Sequence, residues 1–233
     1  MTDLSRDDLD ALVAYDTPTI CNALELVAPE RRALRFTTRT LICPYPDLKP
    51  IVGFAKTAMV RALQPGSLAG AAQRQARLDY YRYVGDGELP KISIVQDLDS
   101  REGFGCFWGE VNSAIHKALG CQGLVTNGGV RDLDAIAEGF QVLCGHVTPS
   151  HAHVRTVASA CEVDIAGMFV RDGDLVHADR HGAVVIPKEV ARDVPAAAEL
   201  CGKREAPILE VARSRDFALE KLEAAMAEAA EIH

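Results

Sequence analysis

The middle of the chain alternates between short apolar runs and segments with helical spacing. Three segments rich in apolar and β-branched residues predict buried strands, at 91–95, 123–126 and 141–147. Between them, the spacing predicts a helix over 108–119, which Gly120 ends, and a shorter helix over 130–138. This order of strands and helices with short joints is typical of parallel βαβ units, so the predicted fold class is α/β.

The flanking segments complete this prediction. Ser5 is expected to cap a first helix, and Thr17 followed by Pro18 predicts the cap and first position of a second. The other predicted elements are a strand over 53–63, a helix over 68–82, a β meander over 163–187, and helices over 188–231 with Pro195 and Pro207 as breaks or restarts. We therefore predict a single domain over residues 1–233, with a β-rich flank and a helical C-terminal tail that packs on a neighbouring subunit.

Charge and composition restrict the classes of function. The chain has 25 Lys and Arg residues against 33 Asp and Glu, a formal net charge of −8. An acidic surface repels phosphates, so no nucleic-acid partner is expected. No apolar run approaches the roughly 18 to 20 residues that span a bilayer, and the N-terminus is polar and acidic, which predicts a cytoplasmic protein with no membrane partner. The seven cysteines contain no C-x-x-C pair, so we expect neither a disulfide framework nor a zinc knuckle.

Two predicted strand-to-helix junctions carry the informative residues. The first reads Trp108-Gly109-Glu110-Val111-Asn112, and the second reads Asn127-Gly128-Gly129-Val130-Arg131-Asp132. In a parallel sheet the carboxyl ends of the strands meet at one edge, where ligands bind. Because adjacent strands lie only about 4.8 Å apart, we expect the side chains of Glu110, Arg131 and Asp132 to converge.

These residue types suit a metal-dependent reaction of a 2-oxo acid. Arg131 has the planar fork that binds a carboxylate bidentately, and Asp132 and Glu110 are hard oxygen ligands suited to Mg²⁺ or Mn²⁺. Helix N-terminal N–H groups beside glycines can also receive a substrate carboxylate. A bound cation would stabilise an enolate, the intermediate of both aldol cleavage and oxaloacetate decarboxylation. A structural interpretation stays open, because Asn-Gly-Gly is a common turn and an acid at a helix start often only compensates the helix dipole.

Histidines form a second candidate cluster. Alternating positions of a strand would place His151 and His153 on one face, and His177 and His181 flank a turn. A His/Asp transition-metal site is one interpretation, and surface or interface histidines are the commoner one. No P-loop, G-x-G-x-x-G or G-x-S-x-G motif occurs, so nucleotide binding and serine hydrolysis are not indicated.

Four stretches of the sequence together resemble the RraA-like family: 108–110, 123–132, 148–152 and 173–182. The resemblance covers roughly residues 15–190 and is most specific from Asn127 to Asp132. The family holds the regulator of RNase E activity, class II 4-hydroxy-4-methyl-2-oxoglutarate aldolases, and proteins often mislabelled as demethylmenaquinone methyltransferases. It implies an α/β/α fold like the swivelling phosphohistidine domain, in homotrimers or homohexamers with active sites between subunits.

The resemblance also implies roles for individual residues. In the aldolases an acid, twenty intervening residues and Arg-Asp form the metal and substrate site, and Glu110 with Arg131-Asp132 matches that spacing. Asp132 would bind the metal directly and Glu110 through a water, while Arg131 would hold the 2-oxo acid. The backbone of residues 109–112 would cradle the pyruvate carboxylate. Glu205 of a neighbouring subunit is the candidate for a further metal ligand.

Two positions depart from the family pattern. Ala135 stands where active members usually carry an acid, and Asn127 stands where many carry Asp. The leading hypothesis is a divalent-metal-dependent lyase that cleaves a 4-hydroxy-2-oxo dicarboxylic acid to pyruvate and a second oxo acid, with oxaloacetate decarboxylation as a second activity. The rival is a non-catalytic regulator that binds an RNase E-type or helicase partner. A methyltransferase is the weakest alternative, because no glycine-rich cofactor loop follows the first strand.

Overall fold

The structure, a computed structural model, describes residues 4–232. The helices are α1 (Arg6–Val13), α2 (Thr17–Val27), α3 (Gly70–Gly85), α4 (Glu110–Ala118), α5 (Val194–Arg213) and α6 (Leu219–Ala230), with 3₁₀ turns at Pro29–Arg31 and Leu133–Ala135. The strands are β1 (Ile51–Arg61), β2 (Lys91–Asp97), β3 (Cys106–Trp108), β4 (Cys121–Thr126), β5 (Gly129–Val130), β6 (Gln141–Leu143), β7 (His146–Val147), β8 (Arg155–Ser159), β9 (Val163–Ile165), β10 (Met168–Val170), β11 (Leu175–Asp179) and β12 (Gly182–Ile186). The α/β class, the β-rich flank and the helical tail are confirmed.

The main sheet is mixed, with a parallel half and an antiparallel half. Its strands lie in the order β12-β11-β1-β2-β4-β6, and β8 pairs with β1 outside this path. Strands β1, β2, β4 and β6 are parallel to one another, so their carboxyl ends meet at one edge. A small parallel sheet, β3-β5-β7, is built from the segments that follow that edge. This edge is where the parallel βαβ prediction places a ligand site.

The two faces of the main sheet pack against different elements. Ile51 of β1 belongs to the apolar cluster that also contains the buried residues of β9 and β10, whereas Val52, the next residue, packs with α1, α2 and α5. This alternation follows from the period of two in a strand. On the parallel half, Val95 and Leu124 pack with Tyr80 and Val84 of α3. Helix α3 is therefore held against one face of the parallel half of the sheet.

Lys91 joins the ends of two helices to the start of β2. Its Nζ donates hydrogen bonds to the carbonyl oxygens of Val84 at 3.0 Å, Gly85 at 2.7 Å and Leu119 at 3.3 Å. The last carbonyl oxygens of a helix receive no hydrogen bond from an N–H within the helix. The Lys91 ammonium donates to such carbonyls at the ends of both α3 and α4. The residue is 1% exposed, and burial lowers the pKa of its ammonium.

Some local predictions are confirmed and others are wrong. Ser5 caps α1 in a capping box with Asp8. The cap of α2 is Asp16, which accepts the N–H of Thr19 at 2.9 Å, and Thr17 is already helical. Pro207 lies inside α5 and does not break it, because α5 is held by packing against α2 and α6. Within residues 4–232, none of the helices combines the length and apolarity that crossing a membrane requires.

Candidate functional site

A cavity of about 810 Å³ lies at the carboxyl edge of the parallel strands. Its walls come from five segments that are distant in sequence: the loop 65–68 after β1, helix α3, the junction of β3 and α4, the residues after β5, and the stretch 151–157. Pockets of this size hold small-molecule ligands, and such pockets are typical of this edge of parallel sheets. The cavity is therefore the candidate site.

Gly109, Arg131 and Asp132 are packed together at one wall of the cavity. The N–H of Arg131 donates to the carbonyl of Trp108 at 3.0 Å, which ties the second junction to the first. The carboxylate Oδ2 of Asp132 accepts the N–H of Glu110 at 3.3 Å and lies 3.5 Å from Nε of Arg131. A Cβ at Gly109 would lie 2.5 Å from that Oδ2, so only glycine leaves space for this arrangement.

The backbone at Asp132 explains how its side chain reaches the cavity. Asp132 has φ of 55° and ψ of 43°, the left-handed region that Asp tolerates better than most residues. The predicted helix over 130–138 is wrong: β5 ends at Val130, and a 3₁₀ turn begins at Leu133. The left-handed residue interrupts any helix at this point. Only the first junction therefore offers the N-terminus of an α-helix, that of α4.

Some polar groups in the first turn of α4 are already hydrogen-bonded within the protein. Gly109, Val111 and Asn112 line the cavity, whereas Glu110, which is exposed, is not part of the described lining. The carboxamide of Asn112 accepts a hydrogen bond from the Tyr81 hydroxyl at 2.6 Å and donates to the carbonyl of Phe107. Gly109 has no side chain to cap the helix, and first-turn N–H groups have no acceptor within a helix. The N–H of Glu110 already donates to Asp132, so the N–H groups of Val111 and Asn112 are what this turn can offer a ligand.

Asn127 links the ends of two neighbouring strands of the main sheet, β2 and β4. Its Oδ1 accepts the N–H of Asp97 at 2.8 Å, and its Nδ2 donates to the carbonyl of Asp97 at 2.9 Å. A carboxylate could accept the first of these bonds but could not donate the second. Asn127 is 3% exposed and joins the ends of β2 and β4. The departure at Asn127 therefore has a structural explanation. Ala135 is exposed in the 3₁₀ turn, outside the described cavity lining.

Two buried acids that the sequence pattern does not single out organise the loops around the cavity: Asp97, the last residue of β2, and Asp99, two residues further along. Asp97 accepts the N–H groups of Asp99 at 3.0 Å and Gly103 at 2.8 Å, and Asp99 accepts those of Ala62 and Leu63. Burial raises the pKa of Asp97, although these hydrogen bonds oppose the shift. The only sequence signal for these two acids is their position just after the strand predicted over 91–95.

The histidines divide into two separate groups. His151 and His153 line the cavity and are exposed, but they lie before β8 and not in a strand, with Ala152 between them at φ of 45°. His177 is buried elsewhere, with its Nδ1 3.0 Å from the Thr17 hydroxyl and its Nε2 3.0 Å from the Tyr15 carbonyl oxygen. Burial lowers the pKa of His177 to about 4. Both ring nitrogens of His177 are thus used in hydrogen bonds within the fold, and this histidine has a structural role.

The donor set for a metal is small. Between Leu4 and Ile232, no three His, Cys, Asp or Glu side chains converge in a way that could hold an ion. Glu205 lies exposed on α5, a helix that packs against α2 and α6, and it is not part of the described cavity lining. Asp132 alone still fits Mg²⁺, which binds through one or two carboxylates and takes its other ligands from water and substrate oxygens.

Comparison with known proteins gives both a family and a fold. The model of the RraA-like family, described as Aldolase/RraA, matches residues 17–185. An uncharacterized protein from Pseudomonas syringae pv. tomato str. DC3000 has a similar structure, with a TM-score of 0.71 and 21% identity over 96% of this chain and 95% of that one. RraAS2 of Streptomyces coelicolor, an unusual member of the RNase ES inhibitor RraA protein family, has a TM-score of 0.67 and 22% identity over 92% of this chain and 100% of that one. At these identities the two structures show the fold alone.

A curated relative matches over a shorter stretch. Protein DlpA of Legionella pneumophila is 28% identical over 113 residues, which are 46% of this chain and 18% of that protein. The chain thus spans less than a fifth of the length of this relative.

Proposed function

Because this chain belongs to the RraA-like family of aldolase and RraA proteins, we propose that it is a divalent-metal-dependent lyase. Its substrate would be a 4-hydroxy-2-oxo dicarboxylic acid, cleaved between C3 and C4 to pyruvate and a second oxo acid. Oxaloacetate decarboxylation would be a second activity, since both reactions place negative charge on the same 2-oxo oxygen. The observation that supports the proposal is the packing of Arg131 and Asp132 against the space that Gly109 leaves at the cavity wall.

Asp132 is the residue proposed to hold Mg²⁺ or Mn²⁺. Its side chain is 37% exposed and lines the cavity, which suits an ion that keeps several water ligands. Glu110, whose N–H already contacts the Asp132 carboxylate, would contribute through a water, and Glu205 of a neighbouring subunit would complete the set. When bound, the ion supplies a Lewis acid that withdraws electrons from the 2-oxo group of the substrate.

The substrate is oriented by groups of the chain itself. Arg131 lines the cavity beside Asp132, and its guanidinium would bind the 2-oxo acid and stabilise the charge that develops on the 2-oxo oxygen. The first-turn N–H groups of α4 would receive the pyruvate carboxylate, helped by the positive end of the helix dipole. We propose a homotrimer or homohexamer as the assembly and the cytoplasm as its location.

The proposal is tested by pyruvate release from 4-hydroxy-4-methyl-2-oxoglutarate and from oxaloacetate, with Mg²⁺, with Mn²⁺ and with EDTA. We expect chelation to abolish turnover and Asp132→Ala to lower kcat/KM by at least about a hundredfold. Asp134→Ala, an exposed acid two residues further along, is the matched control and should retain activity. Turnover that is indifferent to EDTA and to Asp132→Ala would contradict a metal-dependent lyase.

A regulator is the alternative from another class. The RNase ES inhibitor family named for the Streptomyces coelicolor structure favours it. A regulator would capture an RNase E-type or helicase partner through its surface and would not need the cavity. Binding to such a partner that survives Asp132→Ala, with no pyruvate release from either substrate, would favour the regulator.

A further inference from the structure

The cavity holds more positive charge than the 2-oxo acid end of a substrate requires. Three arginines line it, Arg77, Arg131 and Arg155, whereas Asp132 is the one carboxylate of the described lining. This excess of positive charge occurs in a chain whose formal net charge is −8. The cavity volume of about 810 Å³ also leaves room for a ligand much larger than pyruvate. Arg131 is assigned to the 2-oxo acid end of the substrate, so Arg77 and Arg155 are free to bind another anionic group.

Arg155 is held toward the cavity by the loop after β1. Its Nη1 donates to the carbonyl oxygen of Gln64. A Cβ at Gly66 would lie 2.7 Å from Cδ of Arg155, so this glycine leaves space for the arginine side chain. A carbonyl is a neutral acceptor, and it orients the guanidinium without cancelling its charge.

Arg77 reaches the same cavity from another element. It lies on α3, and α3 contacts β8, the strand that begins at Arg155. Within residues 4–232 neither of these two arginines forms an ion pair. His151 and His153 line the cavity as well, and the imidazole of each carries an N–H group that can donate a hydrogen bond.

We infer that Arg77 and Arg155 form a second carboxylate-binding subsite, which holds the carboxylate of the substrate that is remote from its 2-oxo acid end. This inference rests on the proposed function, which assigns the 2-oxo acid end to Arg131 and Asp132. The subsite selects dicarboxylic over monocarboxylic 2-oxo acids. It serves aldol cleavage, in which the remote carboxylate is kept. It does not serve oxaloacetate decarboxylation, because an ion pair would stabilise the carboxylate that must leave as CO₂.

The test uses two ligands with the same five-carbon chain. 2-Oxoglutarate and 2-oxopentanoate share the 2-oxo acid end, and only the first has a remote carboxylate. Their dissociation constants are measured by calorimetry with Mg²⁺ on the full chain. We expect a preference for 2-oxoglutarate of about tenfold to a hundredfold, the size of a charge-assisted hydrogen bond. Arg77→Gln and Arg155→Gln should each remove much of that preference.

Two further variants separate charge from structure. Arg155→Lys keeps the positive charge and should keep part of the preference, whereas Arg74→Gln replaces an exposed arginine of α3 outside the described cavity lining and should change nothing. Equal binding of the two ligands by the wild-type protein would overturn the subsite. A preference that persists in both glutamine variants would overturn it as well.

Turnover distinguishes this inference from the proposed function. We expect Arg155→Gln to lower kcat/KM for 4-hydroxy-4-methyl-2-oxoglutarate about tenfold or more, whereas Arg74→Gln should leave it unchanged. A ligand preference without any turnover would support the subsite and contradict the lyase. Turnover of both substrates with no ligand preference would support the lyase and overturn the subsite.

Discussion

Replacing Gly109 by alanine tests whether catalysis depends on the position of the Asp132 carboxylate. Gly109 has φ of −171°, an extended backbone that any residue adopts, so the effect is steric and not conformational. The added Cβ would lie 2.5 Å from Oδ2 of Asp132 and 3.2 Å from Cγ of Arg131, whereas ordinary contacts begin at 3.4 Å. The carboxylate must therefore retreat by about 0.9 Å, and the arginine must shift with it.

The size of this displacement sets the expected loss of activity. A misplacement of about 1 Å in a reacting group lowers the rate about a hundredfold, which is ~2.7 kcal/mol of transition-state free energy. The free energy of unfolding should fall by only about 1–3 kcal/mol, the usual cost of overpacking. The assay is kcat/KM for pyruvate release as a function of Mg²⁺ concentration, with urea unfolding of the same preparation.

Gly202→Ala is the matched control for this substitution. Gly202 lies in α5, and a Cβ added there meets nothing within 4 Å. Activity should stay at the wild-type level, and stability should rise by about 0.5–1 kcal/mol because alanine favours the helix. A Gly109→Ala protein that is folded and retains kcat/KM within about threefold of wild type would refute the reasoning.

Two further predictions concern buried polar residues. Asn127→Asp removes the donor that holds the Asp97 carbonyl at 2.9 Å and buries a carboxylate beside it, so the free energy of unfolding in urea should fall by about 3 kcal/mol. For His177, burial lowers the pKa from 6.5 in the unfolded chain to about 4, so the unfolded chain binds an extra proton between these values. This contribution to stability is complete above pH 6.5 and is lost as the pH falls to about 4, by up to about 3 kcal/mol. His177→Gln should therefore flatten the acid loss of stability in urea unfolding.

These two predictions have separate controls. Asn22→Asp changes an exposed asparagine of α2 and should alter the free energy of unfolding by less than about 0.5 kcal/mol. An Asn127→Asp protein as stable as Asn22→Asp would contradict the role of Asn127 as a link between β2 and β4. If His177→Gln and the wild-type protein lose equal stability as the pH falls, the buried histidine does not cause the loss.

Elements with a long periodic pattern were predictable from the sequence. The run at 91–95 and the spacing over 108–119 each contain enough residues for the apolar period to identify a strand and a helix. Ser5 at the start of α1 was predictable because its capping bonds join residues only three positions apart. The family was also recognisable, because the stretch from Asn127 to Asp132 is specific in its own right.

Short elements were not predictable in this way. Strand β5 has only two residues, Gly129 and Val130, which is too few to show a period of two, so the apolar and charged residues from 130 onward predict a helix over 130–138. The left-handed backbone of Asp132 is stabilised by its surroundings, where Oδ2 meets the N–H of Glu110 from a segment 22 residues away. The conformational preferences of neighbouring residues do not depend on such a long-range contact, so they could not predict this backbone conformation.

The sequence by itself determined the class of the fold, the family, and the residue types at the two junctions, because each of these is encoded in the order of neighbouring residues. The tertiary structure alone decided that Asn127 faces the backbone of Asp97, that His177 lies apart from His151, and that Arg77 and Arg155 share a cavity with Arg131. The physical reason is that these arrangements depend on contacts between segments tens of residues apart. Only the packing of the sheet and α3 brings those segments together.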